Sequence, residues 1–135
     1  MALVQDGQAV DAALGARLAR RFGRDARRLA DAAGVILVTA DLRARTLLFT
    51  PAPFPGGMAA AAIPAGTPEP IASVMIAVAV ALHLDGGHGP VAYLDGALDD
   101  EQPRHRQAHA FARAFVREAG TEQPRRAPSP LERAG

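Results

Sequence analysis

Residues 71 to 84, IASVMIAVAVALHL, run for fourteen positions with only Ser73 and His83 polar, and a chain that contains such a run must hide it from water on every side. A bilayer is one hiding place, but a helix of this length rises only ~21 Å, against a hydrocarbon core of ~30 Å. Extension is blocked upstream by Pro64, Pro68, Glu69 and Pro70, and downstream by Asp85, Gly86 and Gly87. The run is therefore a buried element and not a membrane span. Val74, Ile76, Val78 and Val80 alternate with Met and Ala, which keeps a buried strand open. The length of the run and the proline at its start favour a helix.

The rest of the chain must supply the cover. At 135 residues it has room for one domain, which the sequence places at 1–119, ahead of a Pro- and Arg-rich tail at 120–135 expected to be disordered. Five Phe, one Tyr and no Trp make a core thin in large side chains, so marginal stability or a partner surface is expected. Val10, Leu14, Leu18, Phe22, Ala26, Leu29 and Ala33 recur at steps of three and four, giving one helix or two broken near Gly23, with Gly34 as the C-terminal cap. VILVTA and TLLFT read as short strands joined by DLRAR in an antiparallel hairpin. MAAAAI at 58–63 fits a strand or a helical turn equally well, and VAYLDG reads as a further extended piece. From Asp99 to Ala119 the pattern is an amphipathic helix, acidic at its start and striped by Ala108, Phe111, Ala112, Phe115 and Ala119. The expected class is α+β: N-terminal helices, short antiparallel strands, a buried apolar helix and a C-terminal amphipathic helix.

Composition excludes several chemistries. Without cysteine there is no disulfide, thiol nucleophile or thiolate metal site. All fifteen basic residues are arginine in a chain free of lysine and asparagine, so coding bias explains arginine better than selection for nucleic acid does, and a net charge of +1 points the same way. The N-terminal stretch lacks the pattern of a signal peptide, which makes a cytoplasmic location the expectation. Arg17, Arg20, Arg21, Arg24, Arg27 and Arg28 nevertheless form a ridge at helical steps that could meet phosphates or an acidic partner, although Asp25 and Asp31 dilute it. Nucleic acid stays an open partner on this ground.

The string Ala108-His109-Ala-Phe111-Ala112, with Phe115 beyond it, resembles the A-N-x-F-A-x-x-L helix of ImmA/IrrE-like zinc peptidases, and the order of elements before it is similar to theirs. That resemblance implies a zincin-like fold in which the apolar run takes the place of the H-E-x-x-H helix. In one register the ligand positions fall on Met75 and Ala79 and the general base on Ile76; in the other they fall on Ala77 and Ala81, with the base at Val78. A zinc hydrolase needs two imidazoles one turn apart and a carboxylate beside them. Residues 71 to 82 hold neither. The resemblance thus implies a pseudo-metallopeptidase working through protein contacts, in the repressor-related or phage-related settings of the family.

His105 and His109, one helical turn apart, are the candidate metal ligands, and His105 falls near the place of the family's third ligand. Arg106 follows His105, so the pair is no H-E-x-x-H site, and both border the apolar stripe as an amphipathic boundary would. No cofactor is expected, zinc being the one to consider, through His105 and His109 with His83 or His88. That alternative is a metal-dependent hydrolase with a rearranged site. A small α+β adaptor using the arginine face is the remaining one. Too few large apolar residues lie beyond Gly120 to dock the tail, so limited proteolysis should remove it and leave a folded domain, with the melting temperature of the trimmed protein as the check.

Overall fold

A computed structural model describes residues 9–43, 46–53, 57–86, 91–94 and 103–116, the side chains of 91–94 and 103–105 excepted. The N-terminal helical stripe is two helices, α1 (Ala12–Phe22) and α2 (Ala26–Ala33). Asp11 caps the first by accepting from the Leu14 N–H, and Gly23 ends it in the left-handed region at φ 64°. Asp25 caps the second through the N–H groups of Arg27 and Arg28, and Gly34 closes it at φ 87°. The expected stripe is the inner face: Val10, Leu14, Leu18, Phe22, Ala26 and Leu29 are buried, and Ala33 is half-buried.

Four strands follow, β1 (Val35–Ala40), β2 (Thr46–Thr50), β3 (Ala59–Pro64) and β4 (Val91–Leu94), with α3 (Glu69–Leu84) between the last two and α4 (Pro103–Val116) at the end. The sheet order is β1-β3-β2-β4. β1 runs parallel to β3, and β2 is antiparallel to both β3 and β4. The chain is thus α+β, but its sheet is mixed where antiparallel strands were expected, and the β1–β2 hairpin does not exist. MAAAAI resolves as the strand that separates them.

Side-chain size accounts for this insertion. Ala59, Ala61 and Ile63 point inward from β3 and are buried beneath α3, so the strand nearest the helix carries mostly methyl groups and the helix can approach the sheet closely. Two strand spacings, ~9.6 Å, then separate β1 from β2, a gap that the DLRAR connection crosses easily.

α3 lies on the inner face of the sheet with α2 and α4 packed on it, and α1 packs on α4. Pro70 sits in its first turn, and the run of Met75 to Leu82 is buried at every residue, over more than two turns. The helical reading of the apolar run holds, and so does its burial. α4 turns Ala108, Phe111, Ala112 and Phe115 inward, with the rings of Phe111 and Phe115 nearly parallel at 6.5 Å; Ala119, the last member of the expected stripe, and the tail at 120–135 lie outside the described residues.

Gly15 sits where α1 meets α4, and a Cβ there would run into the backbone carbonyl of Phe111. In an open helix interior Gly→Ala gains up to ~1 kcal/mol from propensity, whereas overpacking against rigid backbone costs about 1–3 kcal/mol. The second effect should win. Gly15→Ala is expected to lower stability in urea unfolding, and Gly15→Ser to lower it further.

Candidate functional site

The segment that the resemblance places at an active site is built without reactive groups. Met75, Ile76, Ala77, Val78, Ala79 and Ala81 are all fully buried, so both registers put their ligand and base positions inside packed apolar contacts. α3 and α4 lie side by side, which brings the apolar run next to the helix that carries the Ala108–Ala112 string.

The histidines divide among different places. His83 is half-buried near the C-terminal end of α3, and its Nε2 lies 3.8 Å from where a Cβ on Gly34 would stand, at the corner between α2 and β1. His109 is half-buried on α4, and His105 is on the first turn of the same helix. His88 and the side chain of His105 lie outside the described residues. Among the described residues no group of three His, Asp or Glu side chains is placed to hold a metal ion. The helix register sets His105 and His109 one turn apart.

The arginine ridge keeps most of its members at the surface. The break at Gly23 divides it between two helices, and Arg21, Arg24 and Arg27 make contacts within the domain. Arg24, itself left-handed at φ 59°, sends Nη1 to the carbonyl oxygens of Ala114 and Phe115 at 3.1 and 3.0 Å. These carbonyls belong to the last described turn of α4, so Arg24 ties the α1–α2 corner to that end of the helix, where a cation favours the helix dipole. Arg27 donates through Nε and Nη2 to the carboxylate of Glu69 at 3.3 and 3.2 Å, joining α2 to the start of α3. These hydrogen bonds raise the Arg27 pKa from its ordinary value, and the guanidinium is charged at any relevant pH. With the two side chains 52% and 63% exposed, the pair contributes only ~0–1 kcal/mol. Arg21 lies 5.4 Å from the Phe22 ring centroid. Arg17, Arg20, Arg21, Arg27 and Arg28 are exposed and Arg24 is half-buried, so five of the six cations still face solvent.

An open cleft of about 400 Å³ lies where the β1–β2 connection meets the β3–α3 turn, lined by Leu42, Pro64, Ala65, Gly66, Thr67, Pro68 and Ile71. Its one side-chain hydroxyl, on Thr67, donates to the Pro64 carbonyl at 2.6 Å, and no lining residue titrates. Apolar walls without an acid, base or nucleophile can bind but cannot carry acid–base chemistry. No family model matches the chain, and no significant match to a curated protein or to a solved structure emerges.

The role of Arg24 separates two effects in one position. Arg24→Ala loses charged hydrogen bonds to α4, a loss of about 1.5–3 kcal/mol, and keeps a Cβ in the left-handed region. Arg24→Gly loses the same bonds but relieves ~1 kcal/mol of backbone strain. Urea unfolding should therefore rank wild type above Arg24→Gly, and Arg24→Gly above Arg24→Ala.

Proposed function

We propose that this protein is a non-catalytic member of the ImmA/IrrE-like fold, zincin-like in layout, that acts through protein contacts in a cytoplasmic, repressor-related or phage-related setting. One observation carries the reading. The helix that the resemblance puts at the active-site position carries a fully buried apolar run, Met75 to Leu82, and packs beside α4, the helix that bears the AHAFA string. A peptidase needs its zinc ligands at a surface cleft with an open coordination position for water. The Met75–Leu82 segment instead fills the centre of the domain with methyl, isopropyl and thioether groups, which supports a scaffold role for the element. Its partner is a protein in this proposal, because the cleft beside Thr67 is apolar and the arginines are partly spent on internal contacts.

Grafting the missing motif tests the relationship. Met75→His, Ile76→Glu and Ala79→His together, and separately Ala77→His, Val78→Glu and Ala81→His, place the family's ligands in the two registers. Unsatisfied polar groups at these buried positions cost several kcal/mol, which a bound metal would offset. One of the two variants is expected to be unfolded or loosened without zinc and to gain a cooperative melting transition with it, monitored by circular dichroism against zinc titration. Absence of any zinc-dependent gain in both registers would remove the family reading and leave the adaptor. The hydrolase alternative has its own signature: about one zinc per purified wild-type chain, lost on His105→Ala or His109→Ala.

A further inference from the structure

The sheet has helices on one face only among the described residues, and its other face is apolar. All four of the large hydrophobic side chains that stand exposed among the described residues are on this outer face: Ile36 at 45%, Val38 at 44%, Leu48 at 39% and, just before β3, Met58 at 50%. The strands VILVTA, TLLFT, AAAAIP and VAYL contain no charged residue. A one-sided sheet ordinarily alternates apolar inward with polar outward. Here the polar residues of the outer face are Thr46 and Thr50, and the large side chains on it are aliphatic.

The outer face also has a repeating relief. Val38 pairs with Ala62, Ala62 with Leu48, and Leu48 with the β4 position of Ala92, so one row across the sheet reads large, small, large, small. The neighbouring row runs Ile36, Ala60, Thr50. A second copy turned about a two-fold axis parallel to the strands, midway between β3 and β2, sets Leu48 over the partner copy's Ala62 and Val38 over the partner copy's Ala92 position. Large meets small in both directions, the self-complementarity that an isologous interface requires.

We infer that the outer face of the sheet is a homodimer interface, in which two copies stack sheet on sheet and bury Ile36, Val38, Leu48 and Met58. Charge selects the same occupant: a face without charge offers nothing to an acidic or basic partner, and a net charge of +1 per chain opposes self-association only weakly. The size sets the strength. Four strands ~4.8 Å apart and about five residues of ~3.3 Å give a projected footprint of roughly 300 Å², so the face approaches the ~800 Å² per partner of a standard interface only with its corrugation and flanking loops. The dimer is accordingly weak. This inference stands on the sheet alone and does not rest on the peptidase relationship.

The rival mode is edge pairing through β1, and one substitution separates the two. The Gly34 and Ala40 carbonyls accept from Ala59 and Ala65, so the even-numbered residues of β1 bond to β3 and the N–H of Thr39 points to the open edge. Thr39→Pro thus blocks edge pairing while leaving the β1–β3 ladder intact. Sedimentation of the full chain from about 1 to 500 μM is expected to show a monomer–dimer equilibrium within that range. Leu48→Lys and, independently, Ala62→Leu should each raise the Kd at least tenfold with unchanged circular dichroism, and Thr39→Pro should leave it unchanged. A monomer throughout the range, a dimer indifferent to both Leu48→Lys and Ala62→Leu, or a dimer lost on Thr39→Pro alone would overturn the inference.

Discussion

The burial of α3 on every side is the constraint from which the rest of the architecture follows. A helix with a single apolar stripe needs one neighbour, whereas one whose residues Met75 to Leu82 are all apolar needs a complete sheath. The sheet supplies one wall and α2 and α4 supply others, with α1 packed behind α4. Each wall is adapted to the requirement. β3 brings alanines to the helix, α4 brings Phe111 and Phe115, and Gly15 lets α1 close on α4 at backbone contact. Burying a Val, Leu, Ile or Met side chain contributes ~1.5–3 kcal/mol, so this one helix concentrates much of the hydrophobic driving force of a chain with few aromatic residues.

Polar interactions then hold the sheath in place. Asp11 and Asp25 cap the two N-terminal helices, Arg24 reaches from the α1–α2 corner to the last carbonyls of α4, and Arg27 meets Glu69 at the entry to α3. Arg24 matters most of these, because it reaches acceptors 90 and 91 residues away in the sequence and so joins the α1–α2 corner to α4. The arginine-rich segment is thereby tied to the fold before any partner is considered.

The same economy bears on function. The Met75–Leu82 segment is committed to filling the centre of the domain, which leaves the surfaces of the described residues as the places where a partner could be met. The apolar cleft beside Thr67 and the uncharged outer face of the sheet are separate surfaces, one near the β3–α3 turn and one across the strands. A weak dimer through the sheet would leave the cleft region and the exposed Arg17, Arg20 and Arg28 for a different protein.

Much of the framework was legible in the residues themselves. The steps from Val10 to Ala33, the glycines at 23 and 34, the proline at the start of the apolar run and the Phe111–Phe115 stripe determine local structure, because caps, turns and helical periodicity depend on neighbours within a few positions. Strand pairing was not determined in that way. VILVTA and TLLFT are adjacent in sequence and compatible as a hairpin, yet β3 enters between them because α3 needs the smallest side chains beneath it, a requirement visible only once the helix is set on the sheet. The destination of Arg24 was equally hidden, since a left-handed corner after Gly23 aims it at a helix end across the domain. Of the candidate site, the sequence shows that residues 71 to 82 hold no imidazole or carboxylate, but long-range packing decided that Met75 to Leu82 face the interior.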